Sequence, residues 1–205
     1  MDRVEKMLGR MKASKLYRCV DWDPEDRMVK FIKIGPVVFL LVAIVCAVGY
    51  QVTGTGIFLT LAITFGTTAY HFIMRWLVAF TYNFFMDNHA DYRKPWYQVG
   101  QWEMKLYEKL QVKRWKNHMP TYTPSLFDPR KRTWDQIAQA TCQAELGHET
   151  IAVLSFVPIV AEIWFGEYPV FLLTSIAAAG VDLMFAVIQR YNRQRIVNYL
   201  RNKSD

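Results

Sequence analysis

Two long runs of apolar residues, 34–50 and 56–74, dominate the first half of the chain; neither holds an Asp, Glu, Lys or Arg, and His71 is their one histidine. Roughly 20 apolar residues cross a bilayer core of about 30 Å, so each run predicts a transmembrane helix. The second run resumes after Arg75 and stays apolar to Met86. Two later runs, 151–165 and 168–189, carry one acid each, Glu162 and Asp182. The pattern predicts an all-α integral membrane protein with four membrane helices at 31–50, 55–86, 148–166 and 168–190. A single membrane domain then covers residues 1–205.

Outside these spans the pattern changes to amphipathic. Residues 1–27 place Val4, Met7, Leu8 and Met11 on one helical face among Lys and Arg, which predicts an interfacial helix followed by a turn. In the stretch 87–147, Val99, Trp102, Leu106 and Leu110 share a face with charges opposite, so this stretch is expected to lie on the membrane surface. Pro120, Pro124 and Pro129 mark 119–132 as a loop. Thr133 and Gln136 then form a Thr-x-x-Gln capping box, a helix start.

Charge orients this arrangement. The 205 residues are 52% hydrophobic with a mean hydropathy of +0.02, and the formal charge is +7. Apart from Arg75, every Lys and Arg lies before Ile34, between Asp87 and Glu149, or after Gln189, while the links 51–55 and 166–167 have none. The positive-inside rule therefore predicts a multi-pass protein of the cell membrane with both termini and the 87–132 segment in the cytoplasm. That distribution argues for membrane lipids, and against nucleic acid, as the partner of the basic excess. Cys19, Cys46 and Cys142 fall inside or within a span, so no disulfide framework is implied. His89 and His118 lack neighbours at metal-ligand spacing, and no metal is expected.

Helix rise brings several polar groups to one depth. Arg75, twenty residues after Thr55, lies about 30 Å further in, at the inner boundary, and Arg190 and Arg193 reach a similar level from Tyr168. Thr141, Glu145 and His148 share one helix face and approach that level from the other direction. His71 and Arg75 are one turn apart, and Asp182, Gln189 and Arg193 follow each other on one face of the last span. Ionisable groups at this depth usually face a bundle interior or a wet cavity. Two readings of Arg190 and Arg193 stand side by side: snorkelling anchors at a helix end, or part of a site. Asp182 is either the neutralising partner of a buried base or a protonated acid.

Lys113-Arg-Trp-Lys116 with Met119-Pro120, then Gln143-Ala-Glu-Leu-Gly-His148, then Gln189-Arg-Tyr-Asn-Arg193 with Arg195, in this order, resemble the glycosyl-4,4'-diaponeurosporenoate acyltransferase family over about residues 105–200. Enzymes of that family finish a carotenoid glycolipid by esterifying its sugar with a fatty acyl group. The resemblance implies transfer from acyl-CoA, as co-substrate and without a further cofactor, to a hydroxyl of a glycolipid or other lipid acceptor.

Acyl transfer needs a base, donors for the developing oxyanion and a grip on the donor's carrier. For an enzyme of that kind His148 is the expected general base with Glu145 as its orienting partner, and Asn192 and Arg193 complete the catalytic set. Arg190, Tyr191, His71, Arg75 and Asp182 are expected on the substrate side. Lys113, Arg114 and Lys116 beside Trp115 are expected to hold the coenzyme. Two alternatives remain at this level: a small helical lipid methyltransferase of the isoprenylcysteine type, and a non-catalytic lipid-binding membrane protein whose buried charges only pair with one another.

Overall fold

The computed structural model describes residues 27–120 and 124–204, and every regular element among them is helical. The expected interfacial helix at 1–27 and Cys19 lie outside the described residues, apart from Arg27. Four helical stretches are long and apolar enough to cross a membrane. The chain is thus an all-α membrane protein.

The first helix, α1 (Arg27–Thr53), is charge-free beyond Lys33 and packs against α2 (Gly56–Met86). The contact is built from aromatic side chains, with Phe39 lying 5.6 Å from Phe72 and 6.2 Å from Phe65 between ring centroids. Its opposite face leaves Ile34, Leu41, Val45 and Val48 exposed, the pattern of a lipid-facing helix. Gly54, at φ +68°, makes the tight link to α2, a left-handed conformation that costs glycine little. Along α2, Thr60, Thr64, Thr67 and Thr68 return their hydroxyls to carbonyls one turn back, so these hydroxyls are not left bare in the span. The helix runs unbroken for 31 residues, about 46 Å, and ends where Asp87 and Asn88 turn left-handed.

Short elements follow: a 3₁₀ turn at Pro95–Tyr97, α3 (Gln101–Lys109), α4 (Val112–Trp115) and 3₁₀ turns at Lys116–His118 and Pro124–Phe127. Trp102, Leu106 and Leu110 point outward as an apolar face. Val99 departs from the expected stripe: it precedes α3 and packs inward on Tyr107, Val112 and Tyr191. Helix α5 (Trp134–Leu154) opens with the capping box, Thr133 Oγ1 accepting from the Gln136 amide at 3.2 Å and Gln136 Oε1 accepting from the Thr133 amide at 3.1 Å.

Two boundaries differ from the hydropathy pattern. The third span is not one helix over 148–166. It begins at Trp134, stops at Leu154, and continues through a 3₁₀ segment, Val157–Ala161, into the single turn of α6 (Glu162–Phe165). The break follows from Pro158, which has no N–H to offer the Leu154 carbonyl and whose ring crowds it. The orphaned carbonyl accepts instead from the Tyr70 hydroxyl of α2 at 2.9 Å. The last helix, α7 (Tyr168–Ser204), extends well beyond 190 and runs 37 residues, about 55 Å, outlasting any bilayer core. Its far end forms the wall on which the short elements sit, with Ile196 and Leu200 packed on Ile137, Ala138 and Tyr92. Helices α2, α5 and α7 thus make the bundle, and Met74, Val78 and Ile151 its mid-level core.

Tyr70→Phe should lower stability by about 1–3 kcal/mol, the usual cost of leaving a buried acceptor unpaired. Unfolding of the purified protein in detergent measures this. Adding Pro158→Ala, which returns an amide donor to that position, should recover part of the loss.

Candidate functional site

The polar groups sort into three sets along α7, the second and third of which share one stretch of that helix on different sides. In the first, Asp182 is 2% exposed in an apolar stretch and receives two basic partners. Arg75 of α2 donates to Asp182 Oδ2, and further bonds run from Arg75 to the carbonyls of His71 at 3.2 Å and Ala178 at 3.3 Å. From α5, His148 places Nδ1 3.0 Å from Asp182 Oδ1, and its ring stacks on Phe185 with centroids 4.9 Å apart. A carboxylate on Nδ1 fixes the tautomer with the proton there, which leaves Nε2 as an acceptor. Nε2 has no hydrogen-bond partner among the described residues, and the His148 and Arg75 side chains are 26% and 27% exposed. Arg75 lies 19 residues into α2, about 28 Å along it, which puts this level at the boundary of a bilayer core. The level combines a buried acid, an oriented half-open imidazole and a half-open guanidinium.

The middle level holds more charge and is closed. Glu145, fully buried on α5, pairs with both Arg190 and Arg193 of α7. All five N–H groups of Arg190 are taken: Nε and Nη2 go to Glu103 of α3 at 2.6 and 3.1 Å, Nη1 to Glu145 and the Trp96 carbonyl, and Nη2 also to the Gln98 carbonyl. Arg193, 1% exposed, donates twice to the Tyr97 carbonyl at 2.9 and 3.1 Å and lies over the Tyr97 ring. Glu145 is therefore not the orienting partner of His148. Residues three apart on a helix differ by about 60° in direction, so Glu145 turns to the buried guanidiniums while His148 turns to Asp182. Burial works to raise the Glu103 carboxyl, but hydrogen bonds from Arg190 and Tyr107 win and hold it below its ordinary 4.5. Burial also lifts the Tyr97 phenol to about 12. Gln143 ties α5 to the end of α2, donating to Asn83 Oδ1 at 2.6 Å and accepting from the Asn88 amide at 2.7 Å.

The third level lies outside the bundle. Asn192 accepts from Lys116 Nζ at 2.6 Å, and Tyr191 packs with Tyr107, with Lys113 and Arg114 on the same groove. Trp115 is engaged by the protein itself, its indole N–H on the Leu110 carbonyl at 3.0 Å. Asn192 stands ten residues beyond Asp182, about 15 Å along α7, so the structure does not bring it to His148. His71 is buried one turn from Arg75, edge-on to Tyr70, and neither ring nitrogen has a partner among the described residues. No group of three or more His, Cys, Asp or Glu that could hold a metal ion occurs among the described residues.

The family model for glycosyl-4,4'-diaponeurosporenoate acyltransferase matches residues 93–202, more than half of the chain. The chain belongs to this acyltransferase family. No curated protein and no solved structure matches it. The matched acyltransferase region contains His148, Asp182, the Glu145 network and the basic groove, and it leaves out α1 and α2, so His71 and Arg75 reach the site from outside it. Glu103 is the one major member of the middle level that the sequence pattern did not single out. Its nearest signal is Tyr107 one turn on, whose hydroxyl it accepts.

The depressed Glu103 pKa makes the middle level sensitive to acid. A carboxyl whose folded pKa lies below its unfolded value adds stability above that unfolded value, near 4.5, and the contribution disappears as pH falls through the folded one. Protease sensitivity of the 95–115 segment in detergent should rise as pH drops from about 6 to about 3.5. Glu103→Gln should show the same cleavage already at about pH 6.

Proposed function

We propose that the protein moves a fatty acyl group from acyl-CoA to a hydroxyl of a glycolipid or other amphipathic lipid, with His148 as general base and Asp182 as its positioning residue. The observation that carries this reading is the His148–Asp182 contact with Nε2 left open at the membrane boundary, where an acceptor hydroxyl with an apolar tail would present itself. Nε2 takes the hydroxyl proton, and the carboxylate favours the imidazolium that forms. Arg75 keeps its Nε–H and one Nη1–H uncommitted beside the same acid, and these donors suit the oxygen that gains charge as the thioester carbonyl is attacked. The basic residues on the side away from the two short links support a cytoplasmic face of the cell membrane for this boundary and both termini, the side on which acyl-CoA is available. Family membership supports the reaction class. The closed Glu145 level has a different task, to hold the 95–109 segment against α7.

His148→Gln should reduce turnover by about 10²-fold or more while thermal stability in detergent changes little, because the ring is half-open and contributes one hydrogen bond. Radiolabelled palmitoyl-CoA and a glycolipid acceptor supply the assay, with radiolabelled S-adenosylmethionine in parallel. Label from the methyl donor, or full acyl transfer by a folded His148→Gln protein, would replace this reading.

A further inference from the structure

Nine residues beyond Asp182, about 14 Å along α7, Tyr191 and Tyr107 line a groove of about 520 Å3 whose other walls are Glu108, Gln111, Lys113 and Arg114. Two more cations border it. Lys116 Nζ lies 5.2 Å from the centre of the Tyr191 ring and the Arg195 guanidinium 5.9 Å from it. Among the described residues none of Lys113, Arg114, Lys116 and Arg195 forms an ion pair. The oxygen bound by Lys116 belongs to the neutral Asn192 amide, and Arg114 donates to the Gln111 amide oxygen at 2.9 Å. Burial, then Arg195 and Lys113, hold the Lys116 ammonium below its ordinary pKa, as a positive field without a counter-charge must. Glu108 is the sole carboxylate on the lining. On the other side of the same helix stretch, by contrast, Arg190 and Arg193 are matched to Glu103 and Glu145. The charge at the groove is therefore left for an anion.

We propose that this groove binds the phosphate end of a phosphopantetheinyl thioester, the acyl donor of the reaction proposed above, while the thioester reaches up to His148. The spacing supports it independently of charge. From thioester sulfur to phosphorus the arm is a chain of roughly thirteen bonds, about 15 Å when extended like a polypeptide of the same bond count. That matches the separation of Asp182 and Tyr191 along α7. The inference rests on the acyl-transfer reading and gives it a direction: the donor lies along the aqueous end of α7, and the acceptor approaches from the lipid. In the transfer the acceptor O–H gives its proton to His148 Nε2 and its oxygen bonds to the acyl carbon as the C–S bond breaks. The departing thiolate recovers the proton from the imidazolium, leaving a free carrier thiol.

The test compares palmitoyl-CoA with S-palmitoyl pantetheine, which has the same thioester and no phosphate. For the unaltered protein KM should be about 10²-fold lower for palmitoyl-CoA, the scale of one or two charge-assisted contacts. In Arg195→Gln, and more so in Lys116→Gln/Arg195→Gln, that ratio should shrink toward one. Arg195 is exposed, so the single variant keeps the test valid if the double one misfolds. Palmitoyl-loaded acyl carrier protein, assayed alongside, tells whether the arm comes from the coenzyme or from the carrier protein; a KM sensitive to the same variants supports the groove with either source. Equal KM values for the two small thioesters, or titration of coenzyme A itself unaffected by the variants, would overturn the site. Variant-sensitive coenzyme A binding without acylation of any acceptor would leave the groove standing and remove the acyl-transfer reading.

Discussion

A carboxylate with no solvent access can persist only if cations meet it, and Glu145 meets two. Much of the protein's inner half follows from that requirement. Breaking such a network by removing one partner typically costs about 3–5 kcal/mol, because the survivor is a buried charge. The guanidinium groups have more donors than Glu145 has oxygens, and the surplus is taken by Glu103 and by the carbonyls of Trp96, Tyr97 and Gln98. A segment of one 3₁₀ turn and one nine-residue helix is thereby fixed against α7.

The same physics one level higher has a different result because there the two bases are partly exposed. Asp182 is one acid shared by Arg75 and His148, and both bases are half-open. Glu145 and its arginines form a closed set. A network shut off from solvent can only hold structure, whereas one with an open acceptor on its imidazole and unused N–H groups on a partly exposed guanidinium can act on another molecule. The two levels are adjacent on the same helices, so the closed one gives the open one a rigid base.

The spans were legible because charge-free runs of this length have few other uses, and the Thr133–Gln136 start was legible because a capping box is local. The extent of the third span was not, since the apolar pattern continues through Pro158 although the backbone hydrogen bonding does not. Rise per residue put Arg75, Glu145, His148 and Arg193 near one depth, whereas the structure divides them into two neighbouring levels, Arg75 and His148 at Asp182 and Arg193 at Glu145, and rise says nothing of direction. Glu145 and His148 read as a pair at spacing three. The 60° between them decides their partners, and those partners come from α7, whose rotation the α5 sequence does not contain. Glu103 was invisible for a related reason: it meets Arg190 across 87 residues, and an acid in an amphipathic helix looks the same whether it faces water or a buried arginine.

The contact between Arg75 and Asp182 joins residues 107 apart in the chain. At about 5–20 residues per second of synthesis, α2 precedes its counter-charge by roughly 5–20 s. During that interval Arg75 has no carboxylate from α7 to meet it, and eleven mostly apolar positions follow it before the helix ends. The place of Arg75 at the boundary of the bilayer core lets lipid phosphate and water serve its guanidinium until then. The headgroup layer is thus the first counter-charge of Arg75, and Asp182 the second.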